Sequence, residues 1–120
     1  MARNEKTTCK ELIEPALNHV AWEWEEQLRI GPGRVNITGE SMYDESQAII
    51  ADYLLRYRGI PLGILEAKAE GESAAEGMQQ ASRYARRLMI RFSMATNGAN
   101  WILTDNDSGK FETFNTPPSP

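Results

Sequence analysis

Two apolar stretches, AIIADYLLRY (48–57) and LGILEAK (62–68), are separated only by RGIP (58–61). Both are rich in the branched and aromatic side chains that suit a pleated, half-buried surface. A connection this short joins neighbouring strands only when they run antiparallel, because a parallel return needs a crossover of about a dozen residues or more. The chain is therefore committed to a hairpin near its middle, and each arm of that hairpin carries an acid. Alternate residues of a strand face the same way, so Glu66 shares a face with Leu62, Ile64 and Lys68, and Asp52 shares one with Ile50 and Leu54. Folding across 58–61 is expected to bring Asp52, Glu66 and Lys68 together on a sheet that is otherwise apolar.

The rest of the chain supplies elements to flank that hairpin. Thr8 followed three residues later by Glu11 has the pattern of a capping box. Leu12, Ile13, Ala16, Leu17 and Val20 form an apolar stripe at helical spacing. Together they predict a helix from about Cys9 to His19, with Pro15 in its early turns, where proline costs least. Trp22 and Trp24 lead into an extended segment. RIGPGRVNITG (29–39) predicts a loop and a short strand alternating at Val35 and Ile37, and ESMYDES (40–46) a surface loop. From Ser73 to about Leu88 the composition turns to good helix formers, with Gly77 as a weak point or a place of close backbone approach. RFSMAT (91–96), WILT (101–104) and KFETF (110–114) read as strands joined by turns at NG and DNDSG. The tail NTPPSP cannot continue regular structure and reads as a linker or a trailing end. The expected organisation is one domain over 1–114 with a tail at 115–120, and the expected class is α/β, a central mixed β-sheet flanked by helices.

Composition narrows the function classes. The chain has 120 residues, enough for a core without staples, and no apolar run approaches the roughly 18–20 residues of a membrane span. The opening MARNEKTTCKEL holds no apolar stretch suited to a secretory signal. A single cysteine, Cys9, excludes an internal disulfide and a Cys-rich zinc site, and favours a reducing cytoplasm. The net charge of −4 argues against a general nucleic-acid coat protein. It leaves room for a nucleic-acid enzyme, whose metal-holding acids lower the net charge. The cations are also unevenly placed, with Arg83, Arg86, Arg87 and Arg91 crowded into one region.

Two carboxylates and a lysine on one sheet face suit a definite chemistry. Mg²⁺ takes oxygen ligands and keeps several waters when only one or two carboxylates hold it. It stabilises charge on a phosphodiester and acidifies an attacking water, and a neighbouring lysine orients that water and balances developing negative charge. The plainer alternative is that Glu66 and Lys68 are solvated charges, with Asp52 paired to Lys68 at a sheet edge. Gln80 and Tyr84, four apart, share a helix face with Gly77, Ala81 and Leu88, where small residues permit close approach to the sheet. They are candidates to touch a phosphate or a base, against a plain core role for Tyr84. Arg83, Arg86 and Arg87 form either a solvated face or a phosphate-facing one, and their place beside Tyr84 favours DNA. His19 reads as a helix-terminal residue, and Trp22, Trp24 and Trp101 as packing.

Taken together, ADYLLRY, IPLGILEAKAEGESAAEGMQQASRYA, ELIEPALNHVAWEW (11–24) and MATNG (94–98) resemble the nuclease domain of the motor (R) subunit of type I restriction enzymes. That domain is of the PD-(D/E)XK nuclease superfamily. The resemblance implies Asp52 and Glu66 as metal ligands, the carbonyl of Ala67 as a further one, and Lys68 as the catalytic lysine. It makes Gln80 and Tyr84 the Gln-x-x-x-Tyr motif beside the cleavage centre. The proline usual before the aspartate is replaced by Ala51. A glutamate from the first helix often joins such sites, and Glu5, Glu11 and Glu14 are all candidates. Implied cofactors are Mg²⁺, with Mn²⁺ as a substitute. Implied partners are double-stranded DNA and the methyltransferase and specificity subunits of a restriction complex in a prokaryotic cytoplasm, with no membrane. Nothing here matches the GxxxxGK[ST] phosphate loop, so ATP use belongs to a helicase-like domain absent from these residues. The chain is then an excised domain or a free-standing relative. The competing functions are a free-standing repair nuclease and a non-catalytic DNA or subunit docking module.

Overall fold

A computed structural model of the chain describes residues 2–30 and 49–120. The short strand and loop expected within 31–48 lie outside the described residues. Among the described residues, six strands form one mixed sheet in sequence order: β1 (Glu23–Ile30), β2 (Ile49–Tyr57), β3 (Ile60–Ala67), β4 (Phe92–Thr96), β5 (Trp101–Asp105) and β6 (Phe111–Phe114). All neighbours are antiparallel except β3 and β4. That parallel pair requires a crossover, and the second helix supplies it. The fold class read from the sequence is the one observed.

The central hairpin turns tightly at Arg58 and Gly59, both in the left-handed region (φ 52° and 79°). Two such residues in succession match the twist of the flanking strands. A register shift between Leu55 and Arg56 admits Pro61, which cannot donate to a regular ladder.

The first helix begins earlier than its sequence pattern suggests. It is built from α1 (Glu5–Thr8), a π-helical stretch (Cys9–Ile13) and α2 (Glu14–His19). Asn4, not Thr8, is the cap, its side chain accepting the Thr7 N–H at 2.8 Å. Thr8 is fully buried and its hydroxyl donates to the Asn4 carbonyl at 2.7 Å. The π-helical stretch lets Pro15 fall in the first turn of a new α segment, where its missing N–H is not needed. The downstream helix opens with Ser73 capping a 3₁₀ turn (Ala74–Gly77) and continues as α3 (Met78–Arg87).

Among the described residues, each sheet face is covered by one helix. Ile13 and Leu17 of the first helix pack on Tyr53, Leu55, Leu65, Met94 and Trp101. Ala81, Tyr84 and Ala85 of α3 pack on Ala51, Leu54 and Ile64. Trp22 is buried as expected, and its indole N–H donates to the carbonyl of Pro118 at 2.8 Å. The tail thereby runs back over the sheet, with Pro117 buried. Among the described residues no helix is long and apolar enough to cross a membrane.

Candidate active site

The regular β2–β3 ladder includes the pair Tyr53 and Leu65. One step further along the hairpin, Asp52 and Glu66 come opposite each other, and side chains take over from carbonyls. The Glu66 carboxylate accepts the N–H of Asp52 at 2.7 Å, and the Asp52 carboxylate accepts the N–H of Ala67 at 2.8 Å. Each acid thus satisfies a donor on the opposite strand. Strict alternation fails here: Ala51 packs in the same cluster as Leu54, while Tyr53 and Leu55 lie in the other. On the far side of β2, Gln27 of β1 adopts a left-handed conformation (φ 56°) between the paired positions Glu26 and Leu28. The sheet is opened at Asp52 from both sides.

Glu66 is only 4% exposed. Burial, with the charges of Asp52 and Glu5, pushes its carboxyl up to about 8, against the opposing pull of the Asp52 N–H and Lys68. Burial also raises the Asp52 carboxyl, while the Ala67 N–H and Lys68 hold it down. Glu5 is raised by burial and then by Asp52, with Lys68 opposing. These acids feel one another and one ammonium: a site short of positive charge. Lys68 is half-buried at the end of β3, its N–H bonded to the carbonyl of Thr96 at 2.8 Å. Among the described residues its ammonium makes no ion pair within 4 Å.

Of the three first-helix acids, the structure leaves one for this site. Glu11 is bonded to Arg3 at 2.8 Å. Glu14 is buried and occupied by Lys10 and by the Tyr53 hydroxyl, which donates to it at 2.7 Å. Glu5 remains, on the wall of a cleft of about 650 Å³ that Asp52 also lines. No three such groups gather into a ready-made metal cage among the described residues. The donor set nonetheless fits a hard divalent cation: oxygen donors, two of them carboxylates already mutually repelling.

α3 reaches the site through Gly77. A β-carbon there would lie 3.4 Å from that of Glu66 and 3.6 Å from that of Ala95. One turn on, Gln80 donates its amide N–H to the Tyr84 hydroxyl at 2.5 Å. Tyr84 is 8% exposed and feels the charges of Glu66 and Asp52. Arg83 and Arg87 are exposed, and Arg83 is near enough for its charge to oppose those of the acids at the Tyr84 hydroxyl. The structure brings Asp52, Glu66, Ala67 and Lys68 together, with Gln80 and Tyr84 beside them and the arginines further out.

The chain is similar to known proteins along most of its length. A sequence-family profile described as "Type I restriction enzyme R protein N terminus (HSDR_N)" matches residues 30–111. The chain is 33% identical over 105 residues to the type I restriction enzyme EcoAI endonuclease subunit of Escherichia coli, across 83% of this chain and 13% of that protein. A structure described as a fragment of an HsdR subunit of a type I restriction enzyme from Vibrio vulnificus YJ016 matches with a TM-score of 0.83 and 34% identity. That match covers 99% of this chain and 24% of the other. The chain thus spans only a small part of the length of either relative.

Proposed function

The chain belongs to the type I restriction enzyme R protein N-terminal family, and on that premise we propose that it is the Mg²⁺-dependent DNA endonuclease domain of a restriction R subunit, of the PD-(D/E)XK kind. The observation that carries this reading is the exchange of carboxylates between β2 and β3, which sets buried Glu66 beside half-buried Asp52 where the sheet opens. A fold that only needed a sheet there would continue the ladder with carbonyls. In this reading Asp52, Glu66 and the carbonyl of Ala67 hold the divalent cation, with Glu5 approaching from the first helix. A bound cation supplies charge stabilisation on the scissile phosphate and acidifies the attacking water.

The remaining roles belong to the chain's own groups. Lys68 orients the attacking water and balances negative charge as it develops on the phosphate. Gln80 and Tyr84, already bonded to each other, contact the DNA backbone beside the cleavage centre. Arg83 and Arg87 add salt-sensitive phosphate contacts. ATP hydrolysis and translocation belong to a helicase-like part outside these residues. Double-stranded DNA and the methyltransferase and specificity subunits are the partners, in a prokaryotic cytoplasm.

Nicking of supercoiled plasmid tests the reading. With Mg²⁺ or Mn²⁺ the wild-type chain is expected to nick and Lys68→Ala is not, with both folded by circular dichroism. Equal nicking by the two removes Lys68 from the chemistry. Cleavage by neither, alone or inside a reconstituted restriction complex, leaves only a docking module.

A further inference from the structure

We propose that Arg3 and Glu70 form a positioning clamp that fixes Glu5 against Asp52, Glu66 and Lys68, and thereby sets the site's affinity for a divalent cation; this rests on the nuclease reading above. Arg3 lies two residues before Glu5, and Glu70 two residues after Lys68. The two are joined by more than charge. The Arg3 N–H donates to one Glu70 oxygen at 2.8 Å, its guanidinium donates to the other at 3.0 Å, and the Glu70 N–H returns to the Arg3 carbonyl at 3.2 Å. The Glu70 N–H is also within 3.1 Å of the Thr8 hydroxyl, one turn beyond Glu5. Arg3 is itself held from behind, its Nε donating to Glu11 at 2.8 Å.

The surroundings make the junction narrow. A β-carbon at Gly71 would come within 3.1 Å of that of Ala2, so a glycine lets the two segments meet. On the other side, Lys68 is tied to Thr96, and the Asn97 side chain donates to the Glu72 carbonyl at 2.8 Å. The strand end that carries Lys68 is therefore fixed to the sheet. The helix start that carries Glu5 is fixed to that strand end through Arg3, Glu70 and Thr8. An exposed ion pair alone contributes little. Here the main chain of both partners takes part, and what it registers is the distance from Glu5 to the two sheet carboxylates. Neither Arg3 nor Glu70 touches the reacting atoms; both are positioning residues.

Mn²⁺ binding to the 120-residue chain, followed by titration calorimetry, tests the clamp. Glu70→Ala is expected to weaken Mn²⁺ binding about tenfold, the scale on which groups behind metal ligands act. Glu70→Gln, which keeps an acceptor for the Arg3 N–H, recovers part of the loss. Because Glu70 acts through Glu5, adding Glu70→Ala to Glu5→Gln costs little beyond Glu5→Gln alone. A purely structural role lowers stability but gives neither the graded rescue nor the non-additivity. Should Glu70→Ala not fold, Arg3→Ala and Glu70→Gln carry the same comparison. Wild-type binding with unchanged binding by the folded variants, or with losses that simply add, overturns the clamp and leaves the nuclease reading standing. Absence of Mn²⁺ binding by the wild type overturns both.

Discussion

The Glu66 carboxylate is held at 2.7 Å by the N–H of Asp52, inside the sheet and within reach of the negative charges of Asp52 and Glu5. Its carboxyl is pushed up to about 8, from 4.5 in a solvated chain, chiefly by burial. The folded state therefore binds a proton that the unfolded state releases. The stability this adds is fully present below about pH 4.5 and is lost as pH rises through about 8. Metal-free Glu66→Gln, which keeps the acceptor and does not titrate, is expected to unfold roughly 5–10 °C higher than wild type at pH 8.5. The gap should close towards pH 4.5. Thermal unfolding in chelator across that range is the measurement, and parallel curves for the two proteins would show that Glu66 is not the group responsible.

Asp52 answers differently to substitution, because its oxygen fills a need of the opposite strand. Removing it relieves repulsion at Glu66, which in isolation favours a more stable apo fold. The N–H of buried Ala67, bonded to Asp52 at 2.8 Å, is then left without its acceptor. An orphaned buried donor costs about 1–3 kcal/mol. Asp52→Asn keeps an acceptor while losing the charge. In urea titrations without metal, Asp52→Asn is expected to match or exceed the wild type and Asp52→Ala to fall below Asp52→Asn by about that orphan penalty. Equal stability of the two variants would mean that the bond to Ala67 contributes nothing.

The hairpin was legible because RGIP leaves its two strands no alternative to pairing, and Asp52 and Glu66 then follow from register. The helix start was not. Thr8 and Glu11 have the spacing of a cap, but Thr8 is buried against Glu70, and Glu11 is bonded to Arg3. The cap falls to Asn4, a preference only the tertiary contacts decide. The same contacts separate Glu5 from Glu11 and Glu14, three acids that look equivalent along the chain. Glu70 carries no local signal at all, since Arg3 lies 67 residues away. β1 reads from its sequence only as extended, because its place at the edge of the described sheet leaves Glu23, Glu25 and Glu26 exposed and masks the apolar pattern.

Gly77 sets how closely α3 approaches the site. Its backbone is right-handed (φ −86°), so conformation does not demand glycine. Space limits what can stand there: an added β-carbon meets that of Glu66 at 3.4 Å, the near edge of ordinary contact, so a methyl fits and a larger side chain does not. Gly77→Ala gains helix propensity of about 0.5–1 kcal/mol and loses a comparable amount to crowding. It is expected to be neutral within about 1 kcal/mol. Gly77→Leu must push α3 off the sheet, and overpacking of this kind costs about 1–3 kcal/mol. Thermal unfolding of both variants checks this. A Leu variant as stable as wild type would show that the contact between α3 and Glu66 yields freely.

Tyr53 and Glu14 close the other face of the sheet beside Asp52. The phenol donates to Glu14 at 2.7 Å, and burial holds the hydroxyl protonated far above its ordinary range. The ring meets Trp24 edge-on at 5.7 Å, so its position is fixed by packing as well as by the bond. Tyr53→Phe keeps the packing and leaves a buried carboxylate with Lys10, at 3.1 Å, as its remaining partner among the described residues. The expected cost is about 1–3 kcal/mol, most of it the penalty of the abandoned acceptor. Replacing both partners removes that penalty, so Tyr53→Phe combined with Glu14→Met should be more stable than Tyr53→Phe alone. Urea denaturation of the single and double variants separates the cases. If the two changes simply add, the hydroxyl and the carboxylate are not coupled, and the first helix is held to β2 by its apolar stripe alone.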